Sequence, residues 1–547
     1  MNEVQDNLYK LLESVDKICK VYDIEYSLAY GTALGAVRHN QFIPWDDDID
    51  LFITRDNWNK FRDIVENEDN VLPDNHSLVY NENTVYYCNS LPRYVDKNTT
   101  FIYKSQVLPG KACGNLIEFF ILDPMPKDEE KRQEFIDLFQ VYLELLSPYF
   151  VVCKNLSSED WQRHCNLYKN YCDRIDNEGE EKIIRELENQ LQHFPEDDCD
   201  QYILRWGVFT QVFDKSYFEN YRSIQFENIK VPISKFSESI FRSFYGDDWM
   251  YVPELPNHKI HNAFQNVKIP FQEYTDCYME KINRKKVFEK YKNNKRNNVS
   301  LFYNRRKVDM IVAKTKVNVE SKHICKDLNN KEDYLRLLLK NRDYDLIIKE
   351  FNEYISLQLL KDVKKYNIFV HISDKNLSTL LSCLIEQGKF YDADKFLKIR
   401  ESQKNALNDD LNEIKRIIGV CRELSIAHYD RKDLNLVQSL IDKYENEYPN
   451  LLDIHRAKLL IKESNAETCE DFKSIDEYCD EILKSYPFDG ETMAFQARAK
   501  LECGHKQEAM ELYKKSVKNT RNGLIWKKVE DEIGISRIEY ERELMEG

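Results

Sequence analysis

The chain has 547 residues, 42% of them hydrophobic and 12% aromatic, which is too long for one ordinary core and too rich in Tyr and Phe for a disordered protein, even with 32% charged residues. A net charge of −16 removes the basic surface that general nucleic-acid binding needs, so no nucleic-acid partner is expected. The opening residues lack the basic start and apolar run of a secretory signal, and no apolar stretch approaches a membrane span. The 14 cysteines are scattered without Cys-x-x-Cys spacing and read as reduced thiols, so the chain is expected in the cytoplasm.

Leu8, Leu11, Leu12, Val15, Ile18 and Cys19 recur at three- and four-residue steps and predict an amphipathic opening helix. Glu25 to Tyr30 reads as a strand, Gly31 to Val37 as a tight turn into a short helix, and Asp48 to Ile53 as a second strand, with Pro44 in the loop between. Short strands are expected at Ser77–Tyr80, Val85–Cys88, Thr100–Tyr103 and Leu116–Ile121, a helical region from Asp128 to Leu191, and a hairpin turning at Glu227-Asn228. Residues 281–308 carry eleven Lys/Arg against the single acid Glu289 and fit either a solvated linker or a basic helix. Beyond Asp333 the pattern is almost wholly helical, with breaks near Asn341–Tyr344, Gly388, Arg431–Asp433 and Gly504. That spacing suggests an α-solenoid of helix pairs, tetratricopeptide-like in its last unit. The expected architecture is an α+β catalytic domain over 1–280, a basic linker over 281–332 and an all-α repeat domain over 333–547.

Asp48 and Asp50 stand two apart on a strand, so both side chains face one way, with Cα atoms about 6.5 Å apart. Two carboxylates so placed can converge on Mg²⁺, a hard cation that prefers oxygen ligands and completes its shell with phosphate. A solvated acidic turn is the plainer reading of Asp46-Asp47-Asp48. Upstream, Gly31-Thr32 opens a helix whose free N–H groups and small residue suit a phosphate.

The layout of a hydrophobic residue, Gly and Thr followed 17 residues later by Asp-x-Asp resembles the nucleotidyltransferase fold, with Thr in the place of Ser. The stretch from Ala29 through Tyr30-Gly31-Thr32 and Phe42-Ile43-Pro44-Trp45 to Asp50 resembles the LicD family, the phosphocholine transferases related to fukutin. The likeness continues at Arg93–Phe101, at Ile117–Asp123 and at Tyr245-Gly246-Asp247-Asp248 with Pro253 and His261. It covers the first half of the chain. It implies transfer of phosphocholine or a related phospho-alcohol from CDP-choline or another CDP-alcohol to a hydroxyl of a cell-envelope glycan, releasing CMP. Asp48, Asp50 and Glu118 would be the Mg²⁺ (or Mn²⁺) ligands; Glu118 stands where the family has a shorter carboxylate and is either ligand or general base.

Arg38 and His39, in the loop before the aspartates, suit a donor diphosphate, and Arg93 falls where the family carries Lys. Trp45 suits stacking on a base or a quaternary ammonium, or packing beneath the loop. His261 would close the pocket or serve structurally. The basic segment suits a solvated linker or peripheral contact with anionic lipid at the inner face of the plasma membrane. Two other functions remain open: nucleotidyl transfer releasing pyrophosphate, and a scaffold that binds protein partners through the helical repeats.

Overall fold

A computed structural model describes residues 2–43, 45–80, 91–103, 114–146, 158–192, 198–204, 211–246, 249–251, 263–274, 284–297, 299–359, 370, 372–402, 406–431, 433–520 and 522–533. The chain divides into two compact units, one of Met1–Gly246 with Glu254–Tyr303, the other of Asp247–Pro253 with Asn304–Gly547. The first is a mixed α/β region and the second is largely helical.

In the first unit α1 (Glu3–Val21), β1 (Ser27–Leu28), α2 (Tyr30–His39), β2 (Ile49–Thr54) and α3 (Arg55–Asn67) precede β3 (His76–Val79), β4 (Arg93–Asp96), β5 (Thr100–Tyr103) and β6 (Leu116–Pro126). Helices α4 (Glu129–Leu146), α5 (Ser158–Glu178) and α6 (Glu180–Gln192) follow, then β7 (Cys199–Leu204), β8 (Val212–Asp214), β9 (Tyr221–Phe226), β10 (Ile229–Ser234), α7 (Ser237–Tyr245), β11 (Ala263–Asn266), α8 (Phe271–Tyr274) and α9 (Arg284–Asn297). The main sheet has seven strands, in the order β1-β2-β6-β4-β3, with β7 on β6 and β8 on β7. Strand β6 carries both β4 and β7, β4 at Leu116–Glu118 and β7 from Leu122 onward. Only β2 and β6 run parallel among the named pairs, in a register that sets Asp50 beside Glu118 and Phe52 beside Phe120.

Side-chain alternation then sorts the two faces. Phe119 packs on Trp58 and Phe61 of α3, with ring centroids 5.5 and 5.2 Å away. On the opposite face Phe52 and Phe120 meet Tyr30 and Phe213 in one buried cluster. Asp50 and Glu118 share that second face. Leu8, Leu11, Leu12 and Val15 of α1 are buried, as their spacing requires, and Asn2 caps the helix in a capping box with Gln5. Helices α4, α5 and α6 bury Phe139, Tyr142, Leu187 and Leu191 beside Met125 of β6.

The strand expected at Val85–Cys88 lies outside the described residues, while β4, β7, β8 and β11 were not expected. The β9–β10 hairpin turns as anticipated, pairing Phe226 with Ile229. Of the two readings of the basic segment, residues 284–297 take the helical one: Lys295 Nζ lies 2.5 Å from Glu144 Oε2 in a buried pair, Arg296 Nη1 2.9 Å from Asp176, and Lys292 pairs with Glu180. Acidic partners on α4, α5 and α6 therefore hold part of the charge that composition left to solvent. Residues Val299–Asn330 form a further helix (α10), within which the boundary between the units falls.

In the helical unit three of the four expected breaks are sharp turns, with Arg342 at φ 61°, Gly388 at 70° and Gly504 at 85°, while the break at Arg431–Asp433 includes a residue outside those described. Successive cores share helices: residues 409–425 contribute to the first and second, and residues 452–464 to the second and third. Residues 249–251 belong to this unit: Met250 O accepts from Gly523 N at 2.9 Å, and the Tyr251 ring lies 5.2 Å from that of Tyr391.

Candidate active site

The site is built on the elbow between β1 and α2. Tyr30, which opens α2, holds a left-handed φ of 42°, a conformation that costs about 1–2 kcal/mol for an L-residue. Its ring is fixed by Phe52, Phe120 and Phe244, with centroids 5.2, 4.7 and 4.5 Å away. At Gly31 a Cβ would stand 2.8 Å from Asp46 Oδ2, and at Gly35 it would meet the Gln41 carbonyl at 2.6 Å. The first glycine thus lets the acidic loop close onto the helix start, and the second lets the chain double back after it.

Thr32 is buried, and its Oγ1 accepts from Asp50 N at 3.0 Å, while Ala29 N donates to Asp50 O at 2.9 Å. The backbone of Asp50 is thereby tied to the elbow. Asp48 is buried just ahead of β2 rather than within it. Glu118 sits beside Asp50 and accepts from Arg93 Nε at 2.8 Å, with Arg93 Nη2 on the same oxygen. Arg93 is 1% exposed, so its guanidinium serves the Glu118 carboxylate from within the sheet.

Neighbouring strands lie about 4.8 Å apart. Two carboxylates at about 5 Å repel by about 3 kcal/mol at an effective dielectric constant of about 20. Burial first, then Asp48, Glu118, Asp46 and Asp47, hold the Asp50 carboxyl well above the usual carboxylate range. Although Asp50 keeps some surface, its Oδ1 is cut off from solvent and has no hydrogen-bond partner among the described residues. Carboxylate oxygens of Asp46, Asp47 and Asp48 also lie within 4.8 Å of one another. Asp48 belongs to both sets. This group is half-buried, with Asp48 8% exposed, so it forms one acidic cluster with the Asp50–Glu118 pair rather than a solvated turn. An all-oxygen, anion-rich donor set of this kind fits a hard divalent cation.

The acidic loop is held by its backbone. Gln5 Nε2 of α1 donates to Ile43 O at 3.3 Å and Asp46 O at 3.1 Å, and Gln265 Nε2 of β11 donates to Asp47 O at 2.8 Å. Glu227, at the hairpin turn, accepts from Phe42 N at 3.2 Å. Neither glutamine was legible as a site residue, since an amide in a helix or strand carries no motif. Tyr245, on the last turn of α7, is another addition: burial, then Asp50 and Asp46, push its phenol up while Arg38 pulls it down.

Arg38 and His39 were expected in a loop but form the last turn of α2, which Asn40 ends at φ 57°. Both are buried, and Arg38 Nε donates to His39 Nε2 at 3.0 Å. Trp45 is partly exposed beside Asp46. His261 lies outside the described residues, as do Asp247, Asp248 and Pro253. The structure therefore gathers Gly31, Thr32, Asp48, Asp50, Arg93 and Glu118 around one strand pair.

Residues 23–106 match the family model described as LicD/FKTN/FKRP, nucleotidyltransferase domain. The chain carries a LicD-family domain. The lipopolysaccharide cholinephosphotransferase LicD of Haemophilus influenzae is 44% identical over 64 residues, 12% of this chain and 24% of that relative. Uncharacterized proteins of Rickettsia typhi and Rickettsia prowazekii are 37% identical over 59 residues and 43% over 47. Those two matches cover 11% and 9% of this chain, and 19% and 18% of the relatives. The matched stretch spans less than a quarter of each relative's length. The LicD match contains Gly31, Asp48, Asp50 and Arg93, while Glu118 lies beyond it and joins them through the sheet.

Proposed function

We propose that the α/β unit, built on the nucleotidyltransferase fold, is a Mg²⁺-dependent transferase. It moves phosphocholine or a related phospho-alcohol from a CDP-linked donor to a hydroxyl of a cell-envelope glycan or its lipid-linked precursor. The observation that carries this reading is the in-register pair of Asp50 and Glu118 behind Asp48, with the orphan Oδ1 of Asp50 among them. The cholinephosphotransferase relative supports the choice of transferred group.

Asp48, Asp50 and Glu118 would hold the cation, which when bound neutralises phosphate oxygens and orients the diphosphate. Arg93 holds the Glu118 carboxylate in place. Gln5 and Gln265 hold the loop so that its carboxylates keep their places. Gly31 lets the Asp46 carboxylate close onto the helix start, and Arg38 is a cation near Tyr245 at the same site. In the reaction the acceptor hydroxyl loses its proton to water or to a site carboxylate such as Glu118, its oxygen bonds to the alcohol-bearing phosphorus, the bond from that phosphorus to the bridging oxygen breaks, and CMP leaves with that oxygen. The helical unit would be an α-solenoid that engages a protein partner, a reading supported by its overlapping cores.

The test is incubation with Mg²⁺ and a panel of CDP-alcohols, with and without envelope glycan, following CMP. Glycan-dependent CMP from one CDP-alcohol is expected. A second reading, nucleotidyl transfer, is favoured by the family model's own description. Supplied with a nucleoside triphosphate, it would leave the nucleotidyl group on the acceptor and release pyrophosphate, with no CMP.

A further inference from the structure

We propose that Cys469 and Cys503 are a reversible disulfide site that staples two helices of the helical unit, Cys469–Ser485 and Gly490–Glu502. The two Sγ atoms stand 2.6 Å apart, about 0.5 Å beyond a sulfur–sulfur bond. Cys503 Sγ also lies 3.2 Å from the carbonyl oxygen of Cys469.

The approach is fixed by packing. Ile475, Cys479 and Ile482 of the first helix share a core with Phe495 and Ala499 of the second. On the polar side Gln496 Nε2 donates to Asp476 Oδ1 at 2.9 Å and to Asp480 Oδ1 at 2.6 Å, and Lys500 Nζ lies 3.0 Å from Asp476. These contacts run the helices antiparallel, which brings the start of one beside the end of the other. Cys469 is exposed and Cys503 partly so, whereas Cys19, Cys172, Cys199, Cys383, Cys421 and Cys479 are buried. A dissolved oxidant therefore reaches this pair and not those six.

With a low-molecular-weight disulfide such as oxidised glutathione, the exposed Cys469 thiolate attacks one glutathione sulfur. A mixed disulfide forms and one glutathione thiolate leaves. The Cys503 thiolate then attacks the Cys469 sulfur, forming the internal bond and expelling the second glutathione thiolate. The two protein thiols lose two protons and two electrons, and both glutathiones are reduced. Reduced glutathione in excess reverses each step. The expected reading of the cysteines as plain thiols then holds only under reducing conditions. This site lies in the helical unit and is independent of the transferase reading.

The experiment is equilibration of the full chain in glutathione buffers from fully reduced to fully oxidised, quenching by alkylation, and peptide mass spectrometry. The expected result is one cross-link joining the peptides that carry Cys469 and Cys503, lighter by two hydrogens, gained in oxidised buffer and lost in reduced. Cys469→Ser and Cys503→Ser should each abolish it, and the oxidised wild type should unfold several degrees higher than the reduced. Independent alkylation of both thiols in fully oxidised buffer would overturn the proposal. So would persistent glutathione adducts on either, or pairing of either with another cysteine. The wild-type measurement decides the matter even where a variant folds poorly.

Discussion

Each unit of the molecule gathers carboxylates where water is scarce, and the two clusters are resolved in opposite ways. In the helical unit Asp453, Asp489 and Glu491 surround the buried Arg456. Its Nε lies 3.3 Å from Asp489 Oδ2 and 3.6 Å from Glu491, and its Nη1 3.5 Å from Asp453. Asp489 also caps the helix that begins at Gly490, accepting from Thr492 N at 3.0 Å. Arg456 holds the Asp489 carboxyl below the usual range despite burial, and its own guanidinium is pushed well up by the same acids. In the α/β unit Arg93 is spent on Glu118, and the Asp50 carboxyl is driven the other way. A buried acidic cluster that contains its own cation is part of the framework. Burial raises the Asp453 carboxyl in the helical unit too and leaves its Oδ2 an orphan, so the contrast rests on Arg456 standing among its three acids, whereas the acids crowded around Asp50 suit a cation from solution.

The comparison breaks most visibly at Asp50. Asp50→Asn removes a ligand and a repelling charge together, so CMP release should fall by about 10³-fold or more, from the several kcal/mol a bound metal supplies. The metal-free fold should stay as stable as wild type or gain stability. Parallel activity assays and thermal melts check both, and a variant that unfolds while keeping activity would reverse the assignment.

At the other cluster Arg456→Met should do the opposite. It strands three carboxylates, costing about 3–5 kcal/mol in denaturant unfolding of the helical unit. CMP release by the α/β unit should be untouched at temperatures where the protein remains folded.

Gln265→Ala sharpens the contrast, because it touches only the loop backbone at Asp47. Apparent Mg²⁺ affinity should weaken by about 10-fold with little change in rate at saturating metal. A loss of maximal rate with unchanged metal dependence would mean that Gln265 acts elsewhere.

The most gradual effect, only about 1 kcal/mol within any one pH unit, concerns pH. Burial, with Lys528 and Arg456 nearby, holds the His428 imidazole down at about 3, against 6.5 in the unfolded chain. Between those values the unfolded state binds a proton that the folded state refuses, so stability falls as pH drops below about 6.5. The slope is on the order of 1 kcal/mol per pH unit. Denaturation of wild type and His428→Gln across that window should show the slope flattened in the variant.

Much of the site was legible because its chemistry is local. Gly31, Thr32, Asp48 and Asp50 lie within 20 residues, and strand alternation alone aims the two aspartates together. Glu118 could be chosen from its resemblance to a family position, but its pairing with Asp50 is a parallel register that no turn specifies. Arg38 illustrates the reverse error. A charged residue after a glycine-rich stretch reads as loop, yet Asn40 supplies the left-handed cap and α2 runs on to His39. The strands β4, β7, β8 and β11 are three to six residues long, and their stability comes from neighbours distant in sequence. The basic helix was ambiguous for a similar reason, since Glu144, Asp176 and Glu180 lie more than 100 residues before their partners. Gln5 and Gln265 were invisible because they act on carbonyls that only the folded loop presents.

The central claim is that the cluster around Asp50 is a cation site whereas the cluster around Arg456 is not. The most direct test is a Mn²⁺ titration followed by electron paramagnetic resonance on wild type, Asp50→Asn and Asp489→Asn. Mn²⁺ should bind wild type and Asp489→Asn alike and be lost from Asp50→Asn. Equal binding by wild type and Asp50→Asn, or no binding by wild type at millimolar Mn²⁺, would contradict it.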